Sequence, residues 1–82
     1  MLKSKAFPID RICVPVKRRQ TLDPLKVRRI AESMLQNGQE TPIMVREDGE
    51  RFVLVEGLHR LEACRSLSES TVKGFLVQAR RH

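Results

Sequence analysis

Val55-Glu56-Gly57-Leu58-His59-Arg60-Leu61-Glu62-Ala63 is the segment on which the fold turns, because a β-branched run meets a glycine and passes at once into helical spacing. Leu58, Leu61, Cys64 and Leu67 recur every three residues and mark one face of a helix. A strand that turns into a helix at a glycine leaves the first helical amides without partners, with the positive end of the helix dipole behind them. Such a junction favours anions, phosphate above all, and Gly57 lets a ligand approach the main chain. Arg60 can add a bidentate contact to phosphate oxygens, and His59 can donate a hydrogen bond or move a proton near neutral pH. In a plainer reading Gly57 only permits the turn, and Arg60 pairs with Glu56 or Glu62 on the surface.

Immediately upstream, Pro42-Ile43-Met44-Val45-Arg46 and Arg51-Phe52-Val53-Leu54-Val55-Glu56 read as two strands, with the Asp-Gly signal of a tight hairpin in Glu47-Asp48-Gly49-Glu50 between them. Before these, Asp23 and Pro24 form a helix start, a side-chain cap followed by a residue whose fixed φ suits the first helical position. Val27, Ile30, Ala31 and Met34 then make one apolar stripe, and Asn37-Gly38 supplies a left-handed stop. Lys26, Arg29 and Ser33 lie on another face of this helix, where a solvated surface or a Ser33 bond to its own helix is the plain alternative to a site. Phe7 to Val16 carries two prolines among β-branched residues and suits an edge strand or extended arm. Lys17-Arg18-Arg19-Gln20 reads as an exposed loop, Ser66 to Ser70 as a turn, and Val72 to Gln78 as a further strand before a basic tail, Arg80-Arg81-His82. Strand, helix, hairpin, helix and strand in that order predict a compact α+β domain, helices packed on a small mixed sheet.

The chain has 82 residues, so it is expected to be one domain, residues 1–82, and a multidomain enzyme is excluded. Its net charge of +6 suits a partner bearing phosphates. No apolar run approaches the roughly 18 residues of a membrane span, and no signal-peptide core follows Met1, so a cytoplasmic, membrane-free location is expected. Cys13 and Cys64 lack CxxC spacing and a His/Cys cluster, which excludes a zinc site or disulfide framework by pattern. For a domain this small, homodimer formation or ligand binding would add stability.

Gly57-Leu58-His59-Arg60-Leu61-Glu62-Ala63 resembles the G-C-H-R-x-x-A motif of sulfiredoxin and the G-E-R-R-x-R-A motif of the ParB amino-terminal domain. Leu22-Asp23-Pro24-Leu25-Lys26-Val27, Pro42-Ile43 and Phe75-Leu76-Val77-Gln78 follow the order and spacing of sulfiredoxin segments, so the resemblance runs from about Ile9 to Gln78. It implies the ParB/sulfiredoxin superfamily and a nucleoside triphosphate as ligand, ATP in sulfiredoxin and CTP in ParB, with Mg²⁺ bridging the phosphates. By position it implies phosphate contacts for His59 and Arg60 beside Gly57, and nucleotide contacts for Lys26 and Ser33. Arg29 takes another nucleotide-side position, where the usual residue is a much smaller serine.

Leu58 stands where sulfiredoxin has its catalytic cysteine, and leucine has no redox or nucleophilic chemistry, so sulfinic acid reduction by the thiol mechanism is not expected. Cys64 shares the apolar stripe of Leu58 and reads as a small buried hydrophobe, and nothing beside Cys13 lowers a thiol pKa. Relative to ParB, Leu58 and His59 replace Glu and Arg of the motif, which bears on CTP hydrolysis. The expected function is therefore an ATP- or CTP-binding module with weak or no phosphoryl transfer. The alternative is a partition-associated adaptor binding DNA non-specifically through Lys17, Arg18, Arg19, Arg80 and Arg81, in keeping with the plasmid and phage association of free-standing superfamily members. A fold kept for protein contacts alone is a third reading. With no Trp or Tyr, and with Phe52 and Phe75 expected in the core, aromatic platforms for single strands are lacking.

Overall fold

The computed structural model describes residues 3–39 and 41–78. Five strands, β1 (Lys5–Pro8), β2 (Ile12–Cys13), β3 (Ile43–Asp48), β4 (Arg51–Glu56) and β5 (Thr71–Leu76), form one sheet in the order β1-β5-β3-β4-β2. The β1/β5 and β3/β4 pairs are antiparallel, whereas β3/β5 and β2/β4 are parallel. Three helices, α1 (Val16–Arg19), α2 (Pro24–Asn37) and α3 (Leu58–Ser66), complete the α+β domain predicted from the element order. No helix among the described residues is long and apolar enough to cross a membrane.

The hairpin and the α2 limits follow their local signals. Strands β3 and β4 close through Gly49 and Glu50, with φ +63° at Gly49, the left-handed backbone that glycine adopts without cost. The Asp23 carboxylate accepts from the Leu25 amide at 3.0 Å, and Gly38 ends α2 with φ +74°.

The amino-terminal segment departs from its expected form. Instead of one edge strand, Phe7 to Val16 contributes to β1, a 3₁₀ turn at Ile9–Arg11, and β2, which lies at the opposite edge of the sheet. The Ile9 amide donates to the Ser70 carbonyl at 3.0 Å, anchoring the crossing. This division arises because Phe7, Ile9, Ile12 and Val14 are all buried, and a straight strand would place Phe7 and Ile9 on one face but Ile12 and Val14 on the other. The expected loop at Lys17–Gln20 is largely helical: α1 is a single turn in which the Pro15 carbonyl accepts from the Arg18 and Arg19 amides. Proline before a helix has the fixed φ that suits its start. Among the phenylalanines, Phe7 is the buried one, while Phe52 and Phe75 are only partly buried, a reversal of the expected core. Phe7 and Phe52 meet edge to face, ring centroids 5.0 Å apart.

Helix α2 packs on α3, which lies against β3 and β5. Ile43, Val45, Leu54, Leu61 and Val72 form the innermost core, joined by Leu58 and Cys64 from α3. Ile43 occupies a place that two glycines leave open. A Cβ on Gly57 would lie 2.6 Å from Ile43 Cγ2, and one on Gly74 2.9 Å from Ile43 Cγ1. Gly57 also has φ +103°.

Substitution of Gly57 by alanine therefore combines left-handed backbone strain with overpacking and is expected to cost roughly 2–5 kcal/mol. Gly49→Ala, also left-handed but with open space around the added methyl, should cost only about 1–2 kcal/mol. Urea unfolding of both variants tests this, and equal losses would show that the Ile43 contact is relaxed.

Candidate functional site

Gly57 is the amino-terminal cap residue of α3, and its carbonyl accepts from the Leu61 amide at 2.9 Å. No side chain caps this helix, so the amides of Leu58, His59 and Arg60 have no partner within it. They border a cleft of about 430 Å³ whose walls come from four places in the chain. Helix α3 brings His59 and Arg60, α2 brings Lys26 and Ile30, α1 and its following turn bring Arg18 and Thr21, and the sheet side brings Thr41, Pro42, Met44 and Glu56. Met44 and Glu56 are opposite one another in the β3/β4 register, beside an irregularity between Met44 and Val45 that bends β3 next to the cleft.

Among the described residues, three cationic side chains, Arg18, Lys26 and Arg60, thus face the same space as the free helix amides, against one carboxylate, Glu56. Neither Glu56 nor Glu62 pairs with Arg60 among the described residues, where the ion pair of α3 is instead Glu62 with Arg65 at 3.3 Å. Arg60 also lines a smaller adjoining pocket of about 90 Å³ with Ser33, Met34, Gly38, Gln39 and Thr41.

His59 joins the two helix starts. Its Nε2 accepts a hydrogen bond from the Asp23 amide at 3.0 Å, while the Asp23 carboxylate caps α2. With Nε2 taken up as the acceptor of this bond, Nδ1 is the ring's other polar atom. The bond holds the first turn of α2, and with it Lys26, beside the first turn of α3.

Of the residues singled out from sequence, Gly57, His59, Arg60 and Lys26 come together in the main cleft, and Ser33 lines its smaller neighbour. Arg29 lines neither. The basic residues of α1 diverge: Arg18 joins the main cleft, Arg19 lines a second cleft of about 440 Å³ beyond Leu58, and Lys17 lines neither. Arg80 and Arg81 lie outside the described residues. Thr41 was not indicated by sequence as a site residue, and Arg18 was indicated for DNA contact and not for this cleft. The signal for Arg18 was Pro15, which starts the helical turn and so fixes where Arg18 points.

Leu58 is 6% exposed, belongs to the core and borders both large clefts. At the position of the sulfiredoxin thiol there is thus a hydrocarbon wall. Burial pushes the Cys64 thiol above its ordinary range, and the negative charge of Glu69 pushes it further the same way. Among the described residues no three His, Cys, Asp or Glu side chains come together to hold a metal ion.

The family model of the ParB N-terminal domain matches residues 3–82. No curated protein sequence matches. Among solved structures, sulfiredoxin from Arabidopsis thaliana superposes with a TM-score of 0.83 at 27% identity, over 94% of this chain and 86% of that one. C-terminally truncated chromosome-partitioning protein ParB from Caulobacter crescentus, complexed with CTP-γ-S, gives 0.81 at 22% identity, over 95% of this chain but 46% of that one. A free serine kinase mutant in complex with ADP gives 0.74 at 14% identity, over 93% and 30% of the two chains.

The thiol environments give a direct expectation. A thiol reagent at pH 8 should label Cys13 rapidly, whereas Cys64, buried and with its thiolate disfavoured, should react only as the domain opens. Two thiols reacting at one fast rate in the folded protein would contradict the placement of Cys64.

Proposed function

The chain belongs to the ParB N-terminal domain family, and we propose that it is a nucleoside-triphosphate-binding module for ATP or CTP, with weak or no phosphoryl transfer and no sulfinic acid reductase activity. The observation that carries this reading is the uncapped start of α3 opening into a cleft lined by Arg18, Lys26 and Arg60. Phosphate oxygens placed there accept from the free amides and meet the positive end of the helix dipole. Arg60 supplies a planar, two-point donor and Lys26 a compact charge. Arg18 adds a third cation from the far wall. His59 contributes through the position it imposes on α2 and through Nδ1.

The fit to Mg²⁺ is limited on the protein side, since Glu56 is the sole carboxylate lining the cleft among the described residues. Glu56 would be the described side chain to meet a Mg²⁺ brought by the triphosphate, a cation that generally keeps several waters and binds through few carboxylates. Bound there it would neutralise phosphate charge. Among the described residues the lining offers no serine, cysteine or aspartate, and its hydroxyls are those of Thr21, which donates to the Arg18 carbonyl at 2.7 Å, and of Thr41. Those features support binding over turnover. The nucleotide complexes of the related ParB and serine kinase folds support the choice of ligand class.

Amide-resolved NMR titration with Mg-ATP and Mg-CTP at physiological salt tests the proposal. Saturable shifts at Gly57 to Arg60 and around Lys26 are expected, and Arg60→Ala should weaken binding at least about tenfold, the loss of one charge-assisted contact. Silence at millimolar nucleotide, with salt-sensitive shifts on adding DNA duplex instead, would replace this reading by the nucleic-acid one.

A further inference from the structure

Gln39 lies just beyond the carboxyl end of α2, and its side chain bonds to backbone rather than to solvent alone. Its Oε1 accepts from the Lys73 amide at 2.8 Å, and its Nε2 donates to the Lys73 carbonyl at 2.9 Å and to the Thr41 carbonyl at 3.1 Å. One carboxamide thus satisfies both main-chain groups of a β5 residue, as a neighbouring strand would. A side chain is needed there because the β3/β5 ladder begins at the Ile43–Gly74 pair, and Pro42, immediately before it, has no amide proton to offer. The third bond ties Thr41 to the same group. Thr41 lines both the main cleft and the pocket beside Ser33, and Pro42 lines the main cleft.

We propose that Gln39 is a positioning residue of the nucleotide cleft: by fastening Thr41 to β5 it fixes the wall opposite α2 and keeps the cleft open to ligand before ligand arrives. The proposal rests on the nucleotide reading above and deepens it. With its three bonds made to backbone, the carboxamide is not a ligand contact. Its contribution is preorganisation, the ordering of a wall that binding would otherwise have to order. The consequence is local, because the core residues around Ile43 do not depend on the Gln39 amide for burial.

The test compares wild type, Gln39→Ala and Gln39→Glu for Mg-ATP and Mg-CTP affinity, alongside hydrogen exchange at the Lys73 amide. The wild type must bind first; if it does not, the nucleotide reading fails and this inference with it. Given binding, Gln39→Ala should keep a folded spectrum, lose protection at Lys73 and bind roughly tenfold more weakly. In Gln39→Glu the carboxylate still accepts from the Lys73 amide but cannot donate to either carbonyl. It should bind as weakly as the alanine variant at pH 7.5 and recover relative to it as the introduced carboxyl takes up a proton and regains a donor. A merely structural role would produce no such pH-dependent gain over alanine. Should Gln39→Ala fail to fold, the Gln39→Glu series measures the same effect on its own. Wild-type affinity in a variant whose Lys73 amide has lost protection overturns the proposal and leaves nucleotide binding standing.

Discussion

Ile43 is wedged between two missing side chains, and the sheet and the site both rest on that contact. Its two γ carbons fill the places where Cβ atoms of Gly57 and Gly74 would stand, so the start of β3 is pressed at once against β5 and against the turn into α3. Packing at this density tolerates little displacement. The position of the free α3 amides is therefore set by a hydrocarbon contact on their inner side, while Pro42 and Met44, the neighbours of Ile43 in sequence, form part of the cleft wall on the other. Binding geometry and core packing are here one constraint, read from two sides.

The polar chemistry of the cleft is built on an apolar foundation in a second place. Leu58 separates two clefts of similar volume, one rich in cations and the other floored by Ile9, Ile12, Val14 and Leu22. A thiol at that point would face both. A leucine separates them and joins the core instead. His59 takes a comparable part: its accepting nitrogen is engaged by the Asp23 amide, so it arranges one helix start against another.

What could be read from sequence was what short-range chemistry dictates. Asp23-Pro24 and Gly38 bound α2, Gly49 closes the hairpin, and Gly57 opens α3, because each acts through its own φ or its own cap within a few residues. The grouping of Gly57, His59 and Arg60 was legible because one helix start carries them, whereas Lys26 beside them was implied by the resemblance to sulfiredoxin and not by local pattern. What stayed hidden depends on partners distant in sequence. The split of the first segment between β1 and β2 is decided by β5 and β4, whose partners lie far along the chain, Lys73 for Ala6 and Phe52 for Ile12. The Gln39 bonds to Lys73 span 34 residues, and no local pattern distinguishes that glutamine from a solvated one. The α1 turn was the exception, visible in Pro15 but masked by the hydrophilic run after it.

The two edges of the sheet have a kinetic meaning. Residues 5–13 supply both β1 and β2, so the ladder is bounded on each side by one short piece of chain, and β1 pairs with β5, the last strand of the order. The hairpin β3/β4 can close early, since its partners are adjacent, but the parallel β3/β5 and β4/β2 pairings and the β1/β5 pairing all require long loops to close first. During synthesis the first segment leaves the ribosome without either of its partners; β2 can pair once β4 has emerged, whereas β1 must wait for β5. Until then the β3 flank of the hairpin remains uncovered, and the sheet is finished in that late step.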